Sequence, residues 1–496
     1  MYLGIDLGTS GVKVVLTNEQ GAVVATSHAA LDVSMPKPLW SEQNPQDWWN
    51  ATCACLDELA DKQSLADVKA IGLSGQMHGA TLLDVDGEIL RPAILWNDGR
   101  CDAECREIES TVKDARQRSG NIVMAGFTAP KLLWVKNHEP DVFAKVKKVL
   151  LPKDYLRYKL TGEFASDMSD SAGTIWLNTE SRSWDNTLLN ACGLTESHMP
   201  SLFEGNEVTG FLNAGLAERW GMNAVAVAGG GGDNAAGAIG CGIVEPGQAM
   251  LSLGTSGVYF AVTEDFRTNT AQAVHSFCHA LPNRWHLMSV MLSAASCLQW
   301  YASQSGYENV GEMIDDVEHN VAFDDTAIPL FLPYLTGERT PHNNPYAKAS
   351  FFGVSASTTH AHMARAVMEG VSMALADGMD AVDESGVTVS DISLIGGGAK
   401  SAFWRQLLSD VSGRKLSYRQ GGDVGPALGA ARLAQLAVNP DTAASDICFQ
   451  PAIEASYSPN EAIHNAYLLK RQQFRELYYA IEPFYSAPKK HKTFTN

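Results

Sequence analysis

Four consecutive glycines, residues 229–232, run directly into Asp233 and Asn234. They follow the apolar run 224–228 and precede the small-residue stretch 235–242, a pattern of strand, turn and helix. A turn bare of side chains lets a ligand come close to the backbone, and Asp233 would project from the helix start. Phosphoryl transfer to an alcohol needs a carboxylate that accepts the hydroxyl proton as attack proceeds, so Asp233 is the candidate base. An aspartate there can also serve as a helix N-cap, and the two roles are compatible.

A second chemical signal is a repeat. Leu7-Gly8-Thr9-Ser10-Gly11-Val12 recurs intact as Leu253-Gly254-Thr255-Ser256-Gly257-Val258, 246 residues later, each copy between apolar runs. Gly8, Thr9 and Ser10 in one turn, and Gly254 and Thr255 in the other, offer backbone N–H groups and hydroxyls with little bulk, a concavity suited to phosphate oxygens. Two ordinary hairpin turns are the plain alternative. Lys13 would neutralise part of a polyphosphate's charge. The copies differ just before the turn: Asp6 precedes the first and Ser252 the second. A carboxylate at a strand end beside a phosphate turn suits Mg²⁺, directly or through water, and Asp6 is the candidate metal contact.

Other clusters complete the set. Gly396, Gly397, Gly398 and Ala399 repeat the strand–glycine–helix plan and would lay a flat adenine and ribose on bare backbone. Gly75-Gln76-Met77-His78-Gly79 and Trp96-Asn97-Asp98-Gly99-Arg100 offer polar groups, the second beside an aromatic plane, as polyol sites do; Met77, His78, Trp96 and Arg100 are the candidate sugar contacts, beside Asp233. A dinucleotide fingerprint at residues 230–235 carries alanine at its third glycine position and would set Asp233 against a pyrophosphate, and no Walker sequence is present. His275, His279 and His286 lack the H-E-x-x-H spacing of a zinc site.

The elements that must position these groups read as α/β. Strands at 2–6, 12–16 and 23–26 form a meander, Asn44 and Pro45 open a helix to about Leu59, and a strand spans 68–74. At 496 residues two domains are expected. The repeated hairpin sets them at 1–243, with the sugar contacts and first turn, and 244–486, with the nucleotide, leaving a disordered tail at 487–496. Residues 229–242 suit a hinge. A net charge of −19 argues against nucleic acid, and no apolar run reaches membrane-spanning length. Nine cysteines without zinc-like spacing, and no basic, apolar leader, predict a reduced cytoplasmic protein.

Two long segments are similar to the signatures of the FGGY family of carbohydrate kinases, within the hexokinase–actin–Hsp70 superfold. They are Gly126-Phe-Thr-Ala-Pro-Lys131-Leu-Leu-Trp134-Val-Lys-Asn-His138, and Ala349-Ser-Phe-Phe-Gly353-Val354 with His362-Met-Ala-Arg-Ala-Val-Met-Glu369. Ala349 stands where many relatives have glycine. The resemblance implies two actin-like, ribonuclease H-like domains around a cleft, with ATP and Mg²⁺ as cofactors and a small sugar as partner; a homodimer is one assembly it allows. It implies that Asp233 accepts the proton, that Met77, His78 and Asn234 contact sugar, that Asp6 is required near Mg²⁺, and that both turns and Gly397–Gly398 contact ATP. Residues 39–43, 75–79, 96–100, 151–155 and 337–342 most resemble the bacterial branch that phosphorylates D-xylulose. Other ketoses or polyols (ribulose, gluconate, glycerol), a non-metabolic actin- or Hsp70-like ATPase and a nicotinamide dehydrogenase are the competing expectations.

Overall fold

The computed structural model describes residues 1–419 and 425–485; the expected tail at 487–496 lies outside the described residues. Two seven-stranded sheets form the frame. In the first, β1 (Tyr2–Leu7), β2 (Gly11–Thr17) and β3 (Val23–Ala30) make the expected antiparallel meander. β4 (Ala70–Gly75) lies parallel to β1, and β5 (Val208–Phe211) runs antiparallel to β6 (Ala226–Ala228), which is parallel to β4. The short β7 (Gly231–Gly232) also pairs with β4. All six residues of β4 are buried, as befits a strand covered on both faces.

The second sheet is built from β8 (Gln248–Leu253), β9 (Gly257–Thr263), β10 (His275–Cys278), β11 (Trp285–Met291), β12 (Asp391–Ile395), β13 (Leu416–Arg419) and β14 (Ile453–Tyr457). Its order β11-β9-β8-β12-β13-β14 matches β3-β2-β1-β4-β6-β5 strand for strand and direction for direction, with β10 added at the outer edge. The repeated hexapeptide is thus the visible part of a repeated sheet.

The same six residues are nevertheless threaded differently. In the first hairpin Asp6 pairs with Lys13 and Leu7 with Val12; in the second Ser252 pairs with Val258 and Leu253 with Gly257. The two registers differ by one residue, so Lys13 stands across from Asp6 while Val258 stands across from Ser252.

Helix α1 (Pro45–Lys62) begins as expected, with the Asn44 side chain accepting the Gln46 N–H at 3.1 Å, and runs three residues past the expected end. Helices α2 (Pro152–Thr161), α3 (Asp233–Cys241), α4 (His360–Asp383), α5 (Ala402–Ser412) and α6 (Pro426–Ala437) matter for the site. The expected boundary at 243/244 separates the sheets but not the helices, because α6 packs on β1 and β4 of the first sheet and along α3. Glycines permit this. A Cβ on Gly4, Gly72 or Gly429 would lie 1.9, 1.8 or 1.7 Å from the carbonyl oxygens of Ala427, Ala430 and Ala236. Arg432 of α6 donates to the Ile239 and Gly240 carbonyls at the end of α3, 3.0 Å each. The segment expected to be a hinge is therefore mostly a packed helix.

A further core joins the long connection after β4 to the second sheet, placing Phe127 and Trp176 with Phe260, Phe277 and Met288. That core floors the cleft between the halves. All nine cysteines are free and buried.

Candidate active site

The glycine run is a narrow crossing followed by a helix start. Gly230 has φ 73°, and a Cβ there would lie 1.9 Å from the Leu73 carbonyl oxygen, so only glycine passes β4 at this point. Gly232 is the N-cap of α3 and Asp233 its first helical residue, so Asp233 is not the cap. Asp233 Oδ1 accepts the Asn234 backbone N–H at 2.7 Å and its side-chain N–H at 3.0 Å. Burial pushes the Asp233 carboxyl up to about 6, against the lowering pull of those two bonds.

The turn rests on a fully buried ion cluster from the 151–155 segment. Lys153 Nζ lies 2.7, 2.6 and 3.1 Å from Asp154, Asp167 and Asp170, and Arg157 lies 2.9 Å from Asp154. Arg157 also donates to the Gly229 carbonyl, and the Gly232 N–H donates to Ser169 Oγ at 3.1 Å, while Ser169 donates to Asp167. Pro152 and Lys153 press on the sugar-side loop as well: a Cβ on Gly79 would lie 2.5 Å from Pro152 Cγ, and one on Gly75 3.2 Å from Lys153 Cβ.

Asp6 is the next-to-last residue of β1, beside this turn. Burial and the nearby Asp233 charge push its carboxyl up to about 7, and its Oδ1 is buried without a partner. A desolvated, unpartnered carboxylate oxygen beside a second carboxylate is a hard donor suited to a divalent cation.

A cavity of about 250 Å³ opens between the halves. Met77, His78, Trp96, Asp233 and Asn234 line it from the first half; Ser256, His275, Phe277 and Arg339 line it from the second. His78 has a left-handed backbone, φ 69°, and its Nδ1 lies 2.7 Å from the Gly173 carbonyl, leaving Nε2 as the free acceptor. Burial holds the His78 ring neutral, its pKa lowered to about 3. Trp96 is 43% exposed and donates its indole N–H to Thr9 Oγ1 at 3.0 Å. Arg100 is elsewhere. Its guanidinium pairs with Asp98 and Glu42 at 2.7 and 2.8 Å and stacks on Trp40, so it holds the loop rather than lining the cavity.

A larger cavity, about 1130 Å³, is lined by Gly254, Thr255, Trp300, Gly397, Gly398 and Phe403. A Cβ on Gly397 would meet nothing within 4 Å, whereas Ala399 is fully buried behind that wall. The second turn stands between the two cavities, with Ser256 facing the small one and Gly254 and Thr255 the large one.

In the first turn the Thr9 hydroxyl is already committed, accepting from Trp96 and donating to Gln76 Oε1 at 2.9 Å, while the Thr9 carbonyl accepts from Gln43 at 2.8 Å. Gly8 and Ser10 flank it, and Lys13 is exposed, with its ammonium beside Gly425 at the start of α6. Sequence reasoning missed Arg339, Phe277, Trp300 and Phe403, and weighed His275 only as a metal ligand. The 337–342 segment was the one available signal, for Arg339.

The two sheets are actin-like and ribonuclease H-like and each carries the same glycine turn, the second standing between the two cavities and the first bonded through Thr9 to Trp96 at the edge of the small one. Models of the FGGY family of carbohydrate kinases match its N-terminal domain at residues 1–240 and its C-terminal domain at 249–438. The chain belongs to this family and is a carbohydrate kinase. It is 58% identical over 488 residues to a xylulose kinase of Escherichia coli strain K12, covering 97% of this chain and 99% of that one. Among solved structures it resembles a xylulose kinase from Rhodospirillum rubrum, at 27% identity and TM-score 0.91, covering 98% and 99% of the two chains. It matches a gluconate kinase from Lactobacillus acidophilus equally in shape, at 25% identity and TM-score 0.91, covering 97% and 98%.

Proposed function

We propose that the protein transfers the γ-phosphoryl group of ATP to the 5-hydroxyl of D-xylulose, giving D-xylulose 5-phosphate. The observation that carries this reading is the second turn, which divides a small cavity holding Asp233 from a large one floored by bare glycine backbone. The sugar occupies the first and the nucleotide the second, so the triphosphate reaches Asp233 past Ser256. Met77, His78, Trp96 and Asn234 hold the sugar, and Asp233 takes the proton of the attacking hydroxyl. The backbone N–H groups of Thr9, Ser10, Gly254 and Thr255 receive phosphate oxygens, with Lys13 adding charge, while the Gly8 N–H donates to the Gly11 carbonyl at 2.9 Å and closes the turn. Thr9's hydroxyl, already bonded on both sides, holds the turn's shape. Asp6 holds Mg²⁺, which when bound neutralises phosphate charge. We place the reaction in the cytoplasm, in keeping with nine free, buried cysteines.

The sugar assignment rests on the 58% identical relative, since the shape alone is shared with a gluconate kinase. ADP release should be measured with D-xylulose, D-ribulose, gluconate and glycerol. D-Xylulose is expected to give the highest kcat/KM, and faster turnover of gluconate or glycerol would overturn the assignment. Full-rate ATP hydrolysis without any sugar would favour a non-metabolic ATPase. Asp233→Ala is expected to lower kcat by about 10²–10⁴-fold while sugar still binds; wild-type turnover would remove Asp233 from its role.

A further inference from the structure

The small cavity contains one charged side chain that the reaction above leaves unused. Arg339 reaches its wall from the 337–342 segment. A guanidinium carries five N–H donors, and the side-chain acceptor it has here is Nε2 of His275, at 3.3 Å. That acceptor is set in place from behind. The Asn121 amide donates to the Ser119 and Ser276 carbonyls, which turns its Oδ1 toward His275 Nδ1 at 3.2 Å. The ring proton therefore sits on Nδ1 and the Nε2 lone pair faces Arg339.

Glu338, next in sequence, does not supply a counter-charge. Its Oε1 accepts the Leu292 N–H at 3.0 Å and the Arg339 backbone N–H at 2.7 Å, and its Oε2 is buried without a partner. Burial pushes that carboxyl up to about 8, so it keeps its proton near neutral pH. No carboxylate among the described residues forms an ion pair with Arg339. A largely desolvated cation with spare donors, on the wall of a cavity, is costly unless a ligand supplies acceptors.

Its place in the cavity narrows what that ligand atom is. Arg339 and His275 line the cavity from the second half, with Phe127 packed against both the His275 and His78 rings, whereas Asp233 lines it from the start of α3 in the first half. The cation thus belongs to the histidine end and the base to the other. A sugar presenting its terminal hydroxyl to Asp233 turns the opposite part of its chain toward Arg339.

We propose that Arg339 donates to the carbonyl oxygen of the bound ketose, and so makes the site prefer a ketose to the pentitol obtained by reducing that carbonyl. A carbonyl oxygen only accepts, which matches a guanidinium that only donates; a hydroxyl in its place adds a proton and tetrahedral geometry. The inference deepens the reading of a pentulose substrate and rests on it.

The test compares kcat/KM for D-xylulose with that for xylitol and D-arabitol, in the wild type, Arg339→Met and Arg339→Lys. Loss of a charged hydrogen bond corresponds to roughly 10- to 150-fold. The ketose-to-pentitol preference is expected to fall by that factor in Arg339→Met, through a raised KM for D-xylulose, with little change for the pentitols. Arg339→Lys, which keeps the charge and serves if methionine impairs folding, is expected to lose an intermediate share. A preference within about threefold of wild type in both variants, or equal losses on ketose and pentitol, would overturn the proposal. Wild-type preference for a pentitol would instead sink the pentulose reading itself, before any variant is compared.

Discussion

Asp6 and Asp233 share one desolvated region, so their protons leave in two steps that belong to the pair. Burial is the larger cause for both, and it raises a carboxyl because it penalises the charged form. In the proposed reaction ionised Asp233 is the working form, so kcat/KM is expected to fall as pH drops through about 7 toward about 6. With scarce Mg²⁺ the acid limb should be steeper than one proton. Saturating Mg²⁺ keeps Asp6 ionised and should leave a one-proton limb near 6. Rate profiles at the two metal levels check this, and an acid limb lying below pH 5 in both would contradict it. Asp6→Asn should abolish turnover yet raise the melting temperature of ligand-free protein at pH 8. A carboxyl raised in the folded state costs stability that grows as pH rises from its ordinary value of 3.8 and is complete above its folded value, about 7. The gain should therefore shrink at pH 5.

At the scale of elements, the reacting turn hangs from groups remote in sequence. Ser169 accepts the Gly232 N–H and donates to Asp167, which in turn meets Lys153. Ser169→Ala leaves the buried ions in place and removes one support of the turn. A loss of about 2–4 kcal/mol in stability is expected from losing one ordinary hydrogen bond and one to the Asp167 carboxylate, with kcat falling several-fold while the KM for ATP barely moves. Thermal melting and steady-state kinetics together check it; unchanged kcat would show that the turn holds without this bond. The hairpins illustrate what patterning reaches. Apolar runs located all four strands, but they carry no sign of the one-residue difference in register between the two hairpins.

At the scale of the molecule, the halves are bolted by a helix that crosses between them. α6 lies on the first sheet although its residues follow the second sheet's strands. Gly429→Ala would drive a methyl into the Ala236 carbonyl, 1.7 Å from the new carbon, so α3 and α6 must separate. Destabilisation of about 1–3 kcal/mol is expected, seen as a lowered melting temperature. Because α3 carries Asp233, kcat should fall with it; a variant as stable as the wild type would mean the joint is looser than this packing implies.

Much of this was legible in one chain of letters. Glycine turns, apolar strand runs, the Asn44–Pro45 helix start and the isolated Asp6 and Asp233 are local features, and local backbone and solvation physics decide them. The repeated hexapeptide even disclosed the repeated sheet. Tertiary structure alone decided that Arg100 is spent on Asp98, Glu42 and Trp40, that Arg339 and Phe277 join His78 around one cavity, and that α6 belongs to the first sheet. Apart from the neighbouring Asp98, those outcomes depend on which groups meet across tens to hundreds of residues, and residue type or spacing carries no record of a partner that distant.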